Sequence, residues 1–261
     1  MKRLTLGAAL FFASLTAHAA EVTVMISGGF SAALDKLAPK FEAATGDTLR
    51  IVHGPSMGNS AEAIPHRLAQ GQPADAVIMV GYALDKLQQA GNIAAGSRTE
   101  LADSRIGLVV RQGTLPPDIH DVPALKATLL KAKSIAYSDS ASGHYVESEL
   151  FNRLGITKEV QSRAKRVVKT PVAEKVAAGE YDVGLQQVSE LLPVKGATFV
   201  GRIPEQVQYV TRFAGAVVSG AAHQDQARQL LHYLASPQAQ AVIRETGLDP
   251  LTTAKAETGR Q

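Results

Sequence analysis

The sequence predicts an α/β protein of two lobes with a ligand cleft between them. Apolar β-branched runs alternate with helical patterns in βα units, which implies parallel sheets with right-handed crossovers. Two of these units, over residues 22–46 and 134–154, share one design: a strand opens through a small polar loop into a helix start. Long extended runs at residues 105–111 and 207–219 separate the two loop sets.

The chain begins Met1-Lys2-Arg3, continues through an apolar stretch to Leu15, and carries the small-x-small pattern Ala17-His18-Ala19. That reads as a secretory signal peptide over residues 1–19 and places the mature protein in the periplasm. The apolar run is too short to span a bilayer, so no membrane insertion is expected.

Residues 22–26 (VTVMI) read as a buried parallel strand. Ser27-Gly28-Gly29-Phe30-Ser31 breaks it, and Ala32, Ala33, Leu34, Leu37, Ala38 and Phe41 recur at helical spacing until Thr45-Gly46. Unpaired N–H groups and the dipole at such a helix start favour an anion. The same loop reads equally as an ordinary tight βα turn. Its spacing is not G-x-G-x-x-G and no P-loop lysine follows, so a nucleotide is not implied.

Residues 48–52 form a second strand and 62–70 a helix, with Pro65 bending it or seated in its first turn. Residues 74–80 are a third strand, and Gly81-Tyr82 leads into a helix over 83–90. Ligands of such sheets sit beyond the carboxyl ends of the strands. That gathers Ser27 to Ser31, Ser56-Met57-Gly58 and Gly81-Tyr82.

The 105–111 run is a strand, 122–131 a helix, and 134–137 a strand running into Ser138-Asp139-Ser140-Ala141-Ser142-Gly143-His144. A helix over 145–154 is closed by Gly155. Strand 166–169, helix 172–178 and strand 181–185 follow, the last ending at Gln186-Gln187. After the 207–219 run come helices at 225–235 and 237–246.

Composition narrows the chemistry. With no Cys there are no disulfides, thiolate metal sites or Cys nucleophiles. Lys2 and Arg3 account for most of the formal charge of +3, so a nucleic-acid partner is not indicated. There is no H-E-x-x-H, carboxylate cluster or G-x-S-x-G elbow, and neither a metal nor another cofactor is expected.

Over nearly all of its mature length the chain resembles the molybdate-binding-protein-like periplasmic substrate-binding proteins. The resemblance rests on VTVMISGGFSAALDKLAPKFEAATG, GQPADAVIMVGYALDKLQQAGNI, SGHYVESELFNRLG, AAGEYDVGLQQ and HYLASPQAQAVIRETG. It implies the type II periplasmic-binding-protein fold, with crossings near Ser104 to Arg111 and Val207 to Phe213 and last helices that return to the first lobe. Residues 20–104 and 213–261 would make lobe 1, and residues 105–212 lobe 2. Molybdate binders open with Ala-Ala-Ala-Ser-Leu, whereas this chain has Ile26-Ser27-Gly28-Gly29-Phe30, with Gly29 at the Ser position. Ser56 matches the family's second Ser, Ala141-Ser142-Gly143 its Pro-Ala-Gly turn, and Gln187 replaces a strand-ending Tyr. Gly-Gly is expected to enlarge the first-lobe side of the pocket, and Gln186 and Gln187 to offer it amides.

At these points the chain is more similar to a smaller subgroup, the aconitate isomerases, through ISGGFSAALDKLAP, HGPSMG and VIMVGYALDKL. That resemblance implies an isomerase interconverting cis- and trans-aconitate by an allylic proton shift, with a small anionic carboxylate as ligand. The alternative is a non-catalytic binding component that delivers a carboxylate or an oxyanion such as molybdate to an ABC permease. For proton transfer His144 is the first candidate, with His53 and Tyr82 behind it. Each also has a plainer role, as a solvated, loop-bracing or packing residue. Ser138, Ser140 and Ser142 are either N-cap and turn residues or carboxylate donors. Arg67, Arg202 and Arg212 are the cations considered for bidentate contacts.

Overall fold

The structure, a computed structural model, describes residues 19–251 other than Asn59. The signal-peptide expectation therefore lies, except for Ala19, outside the described residues. Among those residues no helix is long and apolar enough to cross a membrane.

The strands are β1 (Glu21–Ile26), β2 (Thr48–His53), β3 (Ala76–Val80), β4 (Thr99–Ser104), β5 (Ile106–Arg111), β6 (Ile135–Ser138), β7 (Ala164–Val167), β8 (Val183–Gln187), β9 (Ala197–Arg202), β10 (Thr211–Val217) and β11 (Asp249–Pro250). They form two sheets, ordered β11-β4-β10-β3-β1-β2 and β7-β6-β8-β5-β9. In the first, β1 runs parallel to β2 and β3, and β10 is antiparallel between β3 and β4. In the second, β6 is parallel to β7 and β8, while β5 is antiparallel to β8 and β9. The protein is thus two α/β lobes, each with its own sheet.

Each lobe has its own apolar core. In the first, Phe30, Ala33, Leu34, Leu37 and Phe41 on helix Gly28–Thr45 repeat every three or four residues and bury one face on β1 and β3. Gly46 ends that helix in the left-handed region at φ 81°. In the second lobe, Leu108, Ile135, Tyr137, Leu150, Phe151 and Leu185 pack together.

The chain crosses between lobes at Ser104-Arg105-Ile106 and returns ahead of Thr211. Gln208 binds the crossings together, its Oε1 accepting from Ile106 N–H at 2.8 Å and its Nε2 donating to the Ile106 carbonyl at 3.0 Å. Arg105 pairs with Glu205 and with Asp249.

Several boundaries differ from expectation. Helices begin at Gly28, Gly81 and Ala141, so the supposed loop residues Gly28-Gly29-Phe30, Gly81-Tyr82 and Ala141 to His144 occupy first helical turns. β1 reaches its helix through Ser27 alone, β3 passes into its helix directly at Val80, and only Asp139 and Ser140 separate β6 from its helix. Pro65 sits in the first turn of helix Ile64–Ala69. The long 207–219 run is strand only over Thr211–Val217, after a 3₁₀ turn at Glu205–Val207. β4, β9, β11 and helix Val188–Leu191 were not anticipated. β4 reads TELADS, and its acids pair with arginines beside it: Glu100 with Arg98 and Arg212, Asp103 with Arg212.

Candidate functional site

Where the carboxyl ends of β1, β3, β6 and β8 face one another across the lobes, a cavity of about 310 Å³ opens. That lies at the small end of ligand pockets. Of the residues singled out from the sequence, Ser27, Gly28, Gly29, His53, Ser56, Ser138, Ser140, Ala141, Gln186 and Gln187 line it. Phe30, Met57, Gly58, Ser142, Gly143, Tyr82 and His144 do not.

Ser27 holds the N-cap position of helix Gly28–Thr45 with extended φ/ψ, yet its hydroxyl makes no cap bond. That Oγ is buried and has no hydrogen-bond partner, so it is an unpaired polar atom at the cavity wall. Ser56 Oγ accepts the Val80 N–H at 3.0 Å, which leaves its own O–H free to donate. On the facing lobe Ser138 Oγ lies 2.8 Å from Ser140 Oγ and 3.0 Å from Ser142 Oγ. The three hydroxyls form a chain from the fully buried Ser142 to Ser140 at the cavity, and Ser140 makes no side-chain cap bond. Two helix starts, at Gly28 and Ala141, thus bring their free first-turn N–H groups to one space.

The Gly-Gly pair does not widen the pocket. A Cβ on Gly29 would run into the ring of Phe213, and one on Gly28 into Glu190 Oε1. The space those glycines leave is filled by side chains from β10 and from the opposite lobe. Gln187 is likewise committed: its Oε1 accepts from Ser104 Oγ at 2.6 Å and its Nε2 donates to Thr211 Oγ1 at 3.1 Å. It fastens β8 to both inter-lobe crossings rather than holding out a free amide.

His144 is exposed on the outer face of its helix, outside the cavity, which corrects its candidacy on geometric grounds. Tyr82 donates to Met57 Sδ at 3.4 Å away from the cavity, and burial, with Tyr209 nearby, pushes its phenol up. His53 reaches the rim, exposed, its Nδ1 3.2 Å from Ser31 Oγ. The arginines are engaged elsewhere: Arg67 with the Glu62 carbonyl, Arg202 with Asp249, Arg212 with Asp103.

Glu190 escaped the sequence reading. It lines the cavity from helix Val188–Leu191, directly after β8, half-buried and facing the Gly28 turn. Burial drives its carboxyl up to about 7, with a hydrogen bond from Gln186 opposing and the charge of Asp139 assisting. Gln186 Oε1 accepts the Val172 N–H at 2.9 Å, which turns its NH₂ toward Glu190. The available signal was its place, one helical turn beyond Gln186 at a strand's carboxyl end. Lys169 is a second cavity residue that the sequence motifs do not mark. It lines the cavity in the left-handed region at φ 63°, and its Nζ meets Glu62 Oε1 across the cleft at 3.2 Å. Non-glycine strain of that kind gathers at functional sites. Ser189 Oγ donates to the Gly29 carbonyl at 2.6 Å, so the lobes already touch beside the cavity.

Residues 22–249 match the family model described as bacterial extracellular solute-binding protein. An aconitate isomerase from a Pseudomonas species is 47% identical, over 95% of this chain and 96% of that protein. The periplasmic molybdate-binding protein of Azotobacter vinelandii superposes with TM-score 0.73 at 19% identity, over 87% of this chain and 98% of that one. The sulfate-binding protein SubI of Mycobacterium tuberculosis gives 0.70 at 18%, over 91% and 88%. At those identities the two structures share the fold with this chain. The family match and the Pseudomonas relative each span most of the sequence, and the chain belongs to the bacterial extracellular solute-binding protein family.

Proposed function

We propose that this protein is an aconitate isomerase, interconverting cis- and trans-aconitate in the cleft between its lobes. Its relationship to the Pseudomonas enzyme supports the reaction. The geometric observation that carries it is the partnerless Ser27 hydroxyl in a small cavity where two helix starts meet. Such a cavity suits a ligand with several carboxylates. Ser27, Ser56 and the Gly28-Gly29 turn would take one end of it, and Ser140 and the Ala141 turn the other.

Aconitate carries a CH₂ beside one carboxylate and a C=C conjugated with the others. Loss of a methylene proton gives a carbanion delocalised through the double bond, and return of a proton at the far carbon moves the bond. The path needs a base, donors where negative charge grows, and exclusion of water, which closure of the lobes supplies. Hinge positions at Ser104-Arg105 and ahead of Thr211 would separate lobe 1 (20–104 and 213–261) from lobe 2 (105–212). The leader at residues 1–19 would deliver the protein to the periplasm.

Purified protein incubated with cis-aconitate in D₂O should yield trans-aconitate with deuterium at carbon, followed by proton NMR. Binding without conversion would leave a carrier that passes a carboxylate to a permease. A preference for molybdate or sulfate in isothermal titration would remove the carboxylate as well. Ser27→Ala should weaken trans-aconitate binding by about 10- to 100-fold, the worth of one hydrogen bond to a charged group. Its urea midpoint should not fall, because that hydroxyl has no partner to lose. Ser56→Ala should weaken binding similarly and also lower the midpoint, since the Val80 N–H loses its acceptor.

A further inference from the structure

We propose that Glu190 is the catalytic base of this site and that one carboxyl, working on one face of the substrate, both removes and returns the proton. The inference rests on the isomerase reading and names the group that reading leaves open.

Position comes first. Glu190 belongs to lobe 2 but its Oε1 stands against the first turn of helix Gly28–Thr45 in lobe 1. It therefore meets whatever occupies the cavity beside the Ser27 hydroxyl and the Gly28-Gly29 N–H groups. A carbon acid held by those donors presents its neighbouring carbons to the Glu190 carboxyl. The absence of side chains at Gly28 and Gly29 admits this approach, because a Cβ on Gly28 would strike the carboxyl itself.

Support comes next. The Val172 N–H fixes Gln186, and Gln186 steadies Glu190 without the full charge an arginine would bring. A base held by a neutral amide keeps its basicity; one held by a cation loses it. The other titratable groups at the cavity are placed otherwise. Asp139 is exposed and His53 stands at the rim, bonded to Ser31; Lys169 is paired with Glu62. Burial sets the carboxyl near the pH at which it exchanges protons freely, where general acid–base catalysis is most effective.

The step balances within substrate and carboxyl. Ionised Glu190 takes one methylene proton, and the C–H electron pair enters the allylic system. Glu190 then returns that proton to the far carbon, where the old double-bond pair forms the new C–H bond. The double bond now joins the central carbon to the carbon that was deprotonated. The orientation of the carboxylate on that carbon at the moment of proton loss decides the cis or trans product. Charge delocalised onto the carboxylates falls on the Ser27 hydroxyl and the helix-start N–H groups.

The test uses the whole secreted protein as wild type, Glu190→Gln and Glu190→Asp. Glu190→Gln should lower kcat by about 10²- to 10⁴-fold. Its trans-aconitate affinity, by isothermal titration, should stay within about threefold, since the amide keeps shape and Gln186 contact. Wild-type kcat/KM should rise with pH through a limb near 7, and the limb should shift in Glu190→Asp, which keeps partial activity. Aconitate deuterated at the methylene and turned over in H₂O should keep part of its label at the new carbon. Complete loss of label would overturn the single carrier. A fully active Glu190→Gln enzyme would overturn Glu190 as base while the isomerase reading stands. Wild type that converts nothing removes that reading itself.

Discussion

Alanine at Gly143 is expected to cost on the order of 4 kcal/mol of folding stability, enough to leave little native protein at ordinary temperature. Gly143 lies in the first turn of the helix that begins at Ala141, and that turn rests directly on the end of β6. A Cβ there would overlap the Ser138 carbonyl oxygen and crowd its carbon and nitrogen. These are backbone atoms of Ser138, paired with Val167 of β7 at the end of an inner strand that β8 also holds, so no rotamer change relieves the clash. Either the helix lifts off β6 or β6 moves in its sheet. Both separate Ser138 from Ser140 and Ser142 and undo the lobe 2 side of the cavity. Urea unfolding with the m-value monitored is the measurement. Gly201→Ala is the control: its Cβ would meet only Ile119 at 3.6 Å, an ordinary contact, and should change stability by no more than about 0.5 kcal/mol. A Gly143→Ala midpoint equal to the control's would show that the helix start is not pinned on the strand.

The same close packing explains what the sequence could and could not convey. The opening VTVMI, the apolar spacing of Phe30, Leu34, Leu37 and Phe41, and the duplicated strand-to-helix design at Ser138 were legible because each is a local pattern. Two lobes followed from the paired loop sets with extended runs between them, together with the family resemblance. Strand β4 was not legible, since its acids hide its alternation and are satisfied only by Arg98 and Arg212. At the site, Ser27 and Ser56 could be placed from the strand ends they follow. The effect of Gly28 and Gly29 could not, because what fills the space over them comes from Glu190 and Phe213, far away in the chain. Local sequence shows that a side chain is missing but not what stands in its place. His144 illustrates the complementary limit. One residue past Gly143 on a helix already under way, it turns outward, where a loop would have left its direction open.

Glu190→Gln should make the ligand-free protein more stable, by an amount that depends on pH in a defined direction. The folded carboxyl titrates at about 7 and the unfolded one at 4.5, with burial as the main cause. Well below pH 4.5 both states hold the proton, and the variant and wild type should unfold at the same urea concentration. Between 4.5 and 7 the unfolded wild-type chain releases a proton that the folded protein retains, so wild-type stability falls as pH rises. Above 7 the folded carboxyl is ionised in its poorly hydrated site and the full difference, on the order of 3 kcal/mol, is reached. Glutamine keeps the shape and the Gln186 hydrogen bond but has no charge to desolvate. The variant's advantage should therefore grow from nothing at pH 4 to its plateau near pH 8. A group kept for structure would act the other way, its removal weakening the fold at every pH. A carboxyl that costs stability in the working pH range, in a cavity between lobes that touch, is best explained by the reaction it serves. Urea unfolding of both proteins at a series of pH values decides it. A flat difference, or one favouring wild type at high pH, would mean that Glu190 is well solvated and no more than an ordinary surface acid.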